Sequence, residues 1–459
     1  MAAAVFLTSA AFGAVGFTVS GSSLRDANGN NFIPVGVNNP HAWFDTDSYN
    51  ALTTLAARRA NCIRIVWSRT LSASRLDQIM TRCEELKMVP MVEIHTGTGS
   101  TNPAELNANA QYFATNAAIF KKHERTVLIN IANEWGDRSS VGTPWRDAYK
   151  TAITTIRNAG IVTTLICDGP NWGQDATSAL TYGQELINHD PQHNLMFSVH
   201  MYGSWNTTAN INTTMQSFKS KNLAMMVGEF GWNFNNGNNN LNCRVDHKAL
   251  MDYAKNHGYG IMAWSTKGNN SENAWLDLTT DWSTPTSPWG NDVFNYANGI
   301  TARAQTASIF NSTGGGSTPG NGTFRIIARQ SGKALDAPGT ANGTQLVQWT
   351  YGGGNNQRWT LQDRGSSQFS IIGVASGKAL DVNTASSANG TKVQLWTYGG
   401  GNNQKWTFAA TSSGFYRVTP VHASGVALDV KGQSLADGAL IQIWAYSGGT
   451  NQQWSFSAP

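Results

Sequence analysis

The sequence predicts an α/β TIM barrel, (β/α)8, followed by a smaller all-β domain, and three observations carry that prediction. About 295 residues hold eight short β-branched or apolar runs that alternate with helical patterns, the signal for βα units around a parallel sheet. The segment 311–323, NSTGGGSTPGNGT, has no apolar side chain to bury and reads as a flexible linker. Beyond it stand three copies of one unit, whose QxW elements begin at Gln357, Gln404 and Gln452, 47 and 48 residues apart. One such unit cannot bury its own apolar face, so three must close on one another as a pseudo-threefold β structure.

At 459 residues the chain exceeds the roughly 250–300 that one core sustains. The expected division is 1–15 as an export signal or its remnant, 16–310 as the barrel, 311–323 as the linker and 324–459 as the repeat domain. Residues 1–15 are apolar and rich in small side chains but lack a basic start, and the run is too short to span a bilayer. Charged residues make up only 13% and the net charge is +4 without a Lys/Arg run, so neither nucleic acid nor an anionic membrane is an expected partner. Four cysteines, Cys62, Cys83, Cys167 and Cys243, lack the close spacing of a metal site, and no metal or cofactor is expected. Two disulfides, Cys62 with Cys83 and Cys167 with Cys243, would each join adjacent barrel elements; four buried free thiols are the alternative.

The eight strands are expected near 32–37, 62–67, 89–95, 127–133, 161–167, 196–201, 224–229 and 260–264. Helices are expected over 72–87 and 145–158, the latter with Thr143 and Pro144 as cap and first-turn pair. Barrel chemistry sits where strands end. The polar residues there are His41 and Trp43 after the first strand, Arg64 in the second, His95 ending the third and Asn133 with Glu134 ending the fourth. Asp168 and Trp172 follow the fifth, His200 and Tyr202 end the sixth, Glu229 the seventh and Trp264 the eighth. Glu134 and Glu229 would face each other across the mouth, an arrangement able to flank one glycosidic bond. Small neighbours in VGEFG leave room beside Glu229 for a sugar ring. Without further information, Arg64 can equally be a structural partner of Glu93, His95 and His200 can be core histidines, and Trp43 and Trp172 can be core packing. Glu93 is a rival carboxylate two residues before His95, deeper in the barrel. Asp168 and Asp277 read as loop caps or, at most, substrate contacts.

The strings GVNNPHAWF, NCIRIVW, VEIHTGTG, NIANEWGD, DGPNWGQD, FSVHMYG, VGEFGW and AWSTKG, in order over all eight strands, resemble glycoside hydrolase family 5 and specifically its bacterial-type β-mannanases. The resemblance implies Glu134 as acid/base and Glu229 as nucleophile of a retaining enzyme, surrounded by Arg64, His95, Asn133, His200, Tyr202 and Trp264. His41, Trp43 and Trp172 are expected to bind substrate. Asn133 can donate to a sugar 2-hydroxyl, Arg64 and Tyr202 can hold Glu229 ionised, and His200 can tune the proton on Glu134. Two departures stand out: the loop 267–275, KGNNSENAW, is unusually rich in asparagine, and Trp67 occupies a strand end where a smaller residue is expected to shape the subsite.

The repeats resemble the ricin B-type β-trefoil, or family 13 carbohydrate-binding module. That resemblance implies sugar sites at Asp381, Gln394, Trp396, Asn403 and Gln404 in the second repeat and at Asp429, Gln442, Trp444, Asn451 and Gln452 in the third. The first repeat keeps Asp336, Trp349, Asn356 and Gln357 but has Val347 in the place of the mid-strand Gln, so its site is expected to be weaker. The bridges common within such repeats have no counterpart, Ala379 and Tyr398 standing in their places. Trp359, Trp406 and Trp454 are expected to be core.

Together these readings describe a secreted, monomeric hydrolase of mannan, galactomannan or glucomannan, held on plant or fungal cell-wall carbohydrate through its trefoil. A β-1,4-glucan hydrolase of the same family is the runner-up, and a lectin with a silent barrel the alternative from another class.

Overall fold

The computed structural model describes residues 16–310, 321–412 and 415–457, and the chain divides into two compact units after Phe310. The expected export segment 1–15 and most of the expected linker lie outside the described residues.

In the first unit eight parallel strands close into a barrel: β1 (Val35–Asn39), β2 (Cys62–Trp67), β3 (Val89–Ile94), β4 (Leu128–Asn130), β5 (Leu165–Asp168), β6 (Leu195–Met201), β7 (Met225–Phe230) and β8 (Gly260–Ala263). Each pairs with its sequence neighbour, and β8 returns to β1. Between them run α1 (Asp45–Ala57), α2 (Ala73–Glu85), α3 (Pro103–Thr115), α4 (Ala117–Lys122), α5 (Thr143–Asn158), α6 (Thr177–His189), α7 (Thr208–Ser220) and α8 (His247–His257). Strands four and five are shorter than the apolar pattern suggests, β4 ending at Asn130 and β5 beginning at Leu165. The cap of α5 is Gly142, at φ +95°, and Thr143 and Pro144 already belong to its first turn. Among the described residues no helix is long and apolar enough to cross a membrane.

Strand alternation sorts the side chains. Ile63 and Ile65 face the helices, whereas Cys62, Met91, Leu128, Ile166, Met196, Met226 and Met262 fill the barrel's lower interior, closed from below by Phe17, Leu24 and Phe32. Two residues further along the strands the interior positions turn polar: Asn38, Arg64, Glu93, Asn130, Asp168 and Ser198, all buried. An apolar plug thus carries a polar floor, and the site stands on that floor.

The same alternation overturns both expected disulfides, and all four cysteines are buried free thiols. Cys62 points into the barrel, while Cys83 on α2 packs in the outer layer with Ile79 and Met80. Cys167 faces outward near Arg157 and Asp190; Cys243 crowds Gly231 and Tyr202 beyond β7. Burial pushes the Cys243 thiol up to about 11. Trp67 also departs from expectation: it is buried against the helices, its indole N–H donating to Tyr112 at 2.9 Å, so it shapes no subsite.

The second unit is an all-β domain with a ricin B-like trefoil fold. Its first strand, Gly322–Ala328, already pairs Thr323 with Thr360, so the linker ends earlier than its composition suggests. Trp359, Trp406 and Trp454 are fully buried, each indole N–H donating to a leucine carbonyl, of Leu335, Leu380 and Leu428 respectively. The repeats hold one another in a cycle. The backbone N–H of Thr350 donates to Asp437, that of Thr397 to Asn342, and that of Ala445 to Asn389, so each repeat's central strand leans on a turn of another repeat.

Candidate active site

Arg64 is the hub of the polar floor. Its Nε donates to Asn130 (2.8 Å), Nη1 to Asn38 (2.7 Å) and Glu229 (2.9 Å), and Nη2 to Asn133 (2.8 Å) and Asp168 (3.3 Å). Glu93 lies 3.7 Å from Nη1. Arg64 therefore pairs with Glu93 and serves Glu229 at once, and its guanidinium stays charged: burial opposes the charge, but Glu93, Asp168 and Glu229 outweigh it.

Glu229, buried at the end of β7, accepts from Arg64 on Oε1 and from the Tyr202 hydroxyl on Oε2 at 2.9 Å. Gly228 beside it leaves no space for a sugar: a β-carbon there would lie 2.1 Å from Ser198 Oγ and 3.0 Å from His200 Nε2, so the room belongs to those side chains.

Glu134 stands opposite, 13% exposed, on a backbone held at φ +46°, a conformation unfavourable for any side chain longer than glycine's. Asp168 pins it by accepting the Glu134 N–H at 3.1 Å. Burial, then the charge of Glu229, raises the Glu134 pKa, so this carboxyl holds its proton more tightly than a free one. His200 Nδ1 lies 2.8 Å from Glu134 Oε1 and 3.5 Å from Glu229 Oε2, and the nearest ligating atoms of the three side chains fall within 4.8 Å of one another.

His200 is fully buried. Burial disfavours its charge, but Glu229 and Asp168 prevail and push its pKa up to about 10. Since the folded value lies above the free one, the stabilisation from this imidazolium is complete below about pH 6.5 and disappears as the pH climbs through about 10. Asp168 answers it. Against the cost of burial, His200 and Arg64 hold that carboxyl well below the usual range. Gly173 is needed here: its φ is +72°, and a β-carbon would sit 2.5 Å from the His200 ring.

His95 Nδ1 lies 2.9 Å from Glu93; burial opposes its charge, but Glu93 raises its pKa. Its ring stacks on Trp264 at 5.6 Å and meets Trp43 edge-on at 5.1 Å. These residues open into a cavity of about 410 Å3 bordered by His95, Asn133, Glu134, Trp172, Tyr202, Glu229 and Trp264. Trp43 is 56% exposed beside it and Trp172 is 47% exposed within it.

His41 differs from expectation. It is buried against Asn39 and Asp45 and does not border the cavity, since the turn after β1 sends Trp43 and Phe44 outward instead. Asp168 is no substrate contact but a buried brace, and Asp277 accepts from Asn269 and pairs with Lys267, which organises the loop after β8. Sequence reasoning missed Asn38 and Asn130, which two-residue counting from the buried apolar layer would have found. It also missed Gln174, Leu241 and Asn273, which border the cavity from loops.

In the trefoil, register sets Asp381 opposite Gln394 and Asp429 opposite Gln442, but Asp336 opposite Val347. Gln394 and Asn403 donate to Asp381 at 2.9 Å each, and Gln442 (2.9 Å) and Asn451 (2.7 Å) to Asp429. Asp336 has Asn356 at 2.8 Å. Trp349, Trp396 and Trp444 stand 49%, 45% and 44% exposed beside these aspartates. Gln404 and Gln452 hydrogen-bond Asp381 and Asp429 from the inner side. Both are buried and tie the loop after the exposed tryptophan, accepting from Gly399 and Ser447 and donating to Thr397 and Ala445.

Two strand-end carboxylates, one protonatable and one held by donors, in the mouth of a parallel barrel are an arrangement able to flank one glycosidic bond, as in a glycoside hydrolase. Comparison with known proteins agrees. Residues 25–270 match the model of Cellulase (glycosyl hydrolase family 5), and residues 309–396 and 402–459 match that of the ricin-type beta-trefoil lectin domain-like family. A mannan endo-1,4-beta-mannosidase of Salipaludibacillus agaradhaerens is 35% identical over 309 residues, 66% of this chain and 98% of that protein. Another, of Cellvibrio japonicus, is 37% identical over 314 residues, 66% of this chain and 71% of that protein. The mannotriose complex of Thermomonospora fusca beta-mannanase superposes with a TM-score of 0.60 at 30% identity, over 65% of this chain and all of that one. The chain belongs to glycosyl hydrolase family 5.

Proposed function

We propose that the chain is a secreted, retaining endo-β-1,4-mannanase that acts on mannan, galactomannan or glucomannan. The observation that carries the retaining mechanism is that a carboxylate oxygen of Glu134 lies within 4.8 Å of one of Glu229. Inverting enzymes separate their carboxyls by about 6.5–9.5 Å to admit a water, and retaining ones by about 5–5.5 Å. Glu229 attacks the anomeric carbon while the Glu134 carboxyl gives its proton to the departing glycosidic oxygen. The glycosyl ester on Glu229 is then cleaved by a water that surrenders its proton to Glu134. Asn133 is fixed through its Oδ1 by Arg64, and its amide nitrogen, 3.0 Å from Thr98 Oγ1 and 3.4 Å from His95 Nε2, would exchange one of these contacts for the sugar 2-hydroxyl. Mannan as substrate is supported by the two relatives and the mannotriose complex. Proton NMR of mannohexaose hydrolysis should register the β-anomer first, and reducing ends should appear from mannan rather than carboxymethylcellulose. An α-anomer released first would overturn the mechanism, and preference for the glucan would overturn the substrate.

The pH profile offers a second check. The His200 imidazolium favours the ionised form of Glu134, so His200→Asn should let Glu134 keep its proton to higher pH. The alkaline limb of kcat/KM then moves upward in pH; movement toward acid would contradict the role of Glu134 as proton donor.

The trefoil supports a role in holding the enzyme, as a monomer, on cell-wall carbohydrate, since three weak sites on one module convert rebinding into an intramolecular event. Trp396→Ala combined with Trp444→Ala should reduce the fraction retained on insoluble mannan at least tenfold, because avidity gains of about 10²–10⁴ depend on simultaneous sites. Undiminished retention would remove these tryptophans from the binding surface. Export is supported by the apolar character of residues 1–15, and N-terminal sequencing of the protein from culture medium tests it.

A further inference from the structure

The asparagine-rich loop after β8 and its counterpart after β7 are clipped together at the cavity rim. The Trp232 indole N–H donates to the Trp275 carbonyl at 2.8 Å, and Phe234 stacks on the Trp275 ring at 5.6 Å with planes 8° apart. The clip also contains a chain of side-chain amides whose direction is fixed at one end. An indole N–H can only donate. The Trp275 Nε1 meets Asn240 at 3.0 Å, so the atom it meets is the Asn240 oxygen. The Asn240 nitrogen is thereby the donor to Asn273, at 2.7 Å, and the atom it meets is the Asn273 oxygen. Asn273 is left with its NH2 group, which makes no hydrogen bond to the described residues, on a side chain that borders the cavity containing Glu134 and Glu229.

We infer that Asn273 is a specificity-determining residue whose Nδ2 donates to a hydroxyl oxygen of a hexose bound in this cavity. Trp275 and Asn240 are its positioning residues. Leu241, carried by the same clip, supplies an apolar wall beside it. The relay gives a flexible-looking surface asparagine a single polarity. A sugar hydroxyl meeting it finds a donor and never the oxygen, which Asn240 occupies. A neighbouring charge or a second acceptor would lack that sense.

The inference rests on the cavity being a polysaccharide cleft, and the experiment separates the two. Turnover of mannohexaose by the unaltered enzyme tests the cleft; the ratio of variant to unaltered KM, on mannohexaose or on cellohexaose if only that is cleaved, tests Asn273. Asn273→Asp keeps the oxygen that accepts from Asn240 and exchanges the donor for an anionic acceptor, and Asn273→Ala removes donor and acceptor without adding charge. For each we expect KM to rise about tenfold with kcat nearly kept, as when one hydrogen bond made equally in ground and transition states is lost. Trp275→Phe preserves the stacking on Phe234 but frees the relay, and should raise KM severalfold. Combined with Asn273→Ala it should add nothing further, because both changes silence the same donor. A KM within twofold of the unaltered value in both Asn273 variants overturns the inference. Full additivity of Trp275→Phe with Asn273→Ala overturns the relay.

Discussion

Glu229→Ala should lower kcat/KM on mannohexaose by roughly 10⁴- to 10⁶-fold, the range seen when a nucleophile or its partner is deleted, and sodium azide should restore part of the lost rate. Removing the carboxylate opens a small space between Arg64 and Tyr202, the two donors that engaged it at 2.9 Å each. A small anion entering there meets the same positive field and attacks the anomeric carbon from the same face, giving the α-glycosyl azide. Glu134→Ala should respond differently. A glycosyl ester on Glu229 should still form when the leaving group is good, so an activated aryl glycoside should lose less than a natural oligosaccharide, for which general acid catalysis contributes about 10²–10⁴-fold. Azide then intercepts the ester from the opposite face, giving the β-azide. The two azides identify the two roles without assuming either. Activity of Glu229→Ala within tenfold of the unaltered enzyme would end the assignment.

The largest structural effect should come from Arg64→Met. Five side chains accept hydrogen bonds from this guanidinium, and Asp168, Glu229 and the nearby Glu93 are all buried. Deleting one partner of such an ion pair leaves uncompensated buried charge and costs about 3–5 kcal/mol. That is a large part of the roughly 5–15 kcal/mol that typically separates folded from unfolded protein. Arg64→Lys should not restore it, because a compact ammonium with three donors cannot span acceptors arranged around a planar fork. Denaturant unfolding measures the loss, and a change below about 1 kcal/mol would mean that the carboxylates find other partners.

Much of this was legible in the chain. Short β-branched or apolar runs alternating with helical patterns announced the barrel, and the strand-end polar residues with the family resemblance picked out Glu134, Glu229, Arg64, His95, Asn133, His200, Tyr202 and Trp264. The third dimension of the site was harder to read. Asp168 looked like a loop residue because the expected fifth strand ended at residue 167, yet the strand includes it and inward parity buries it beneath Glu134. Cys62 and Cys83 seemed close because their elements are adjacent, but they lie on opposite faces of one strand layer. His41 sits in a polar string that suggests contact, and only the turn after β1 decides that Trp43 faces outward instead. Loop residues such as Asn273 carry no periodicity at all; their position depends on a partner loop more than thirty residues away.

The cyclic bonding of the trefoil has a bearing on its ancestry. Trp349, Trp396 and Trp444 each stand on a strand steadied by a turn belonging to another copy of the unit. Excising any one copy therefore removes its own tryptophan strand and also the turn that steadies another. A solitary ancestral module would have carried its own aspartate set but lacked the steadying turn until three such chains gathered around a common axis, an arrangement that tandem duplication makes permanent.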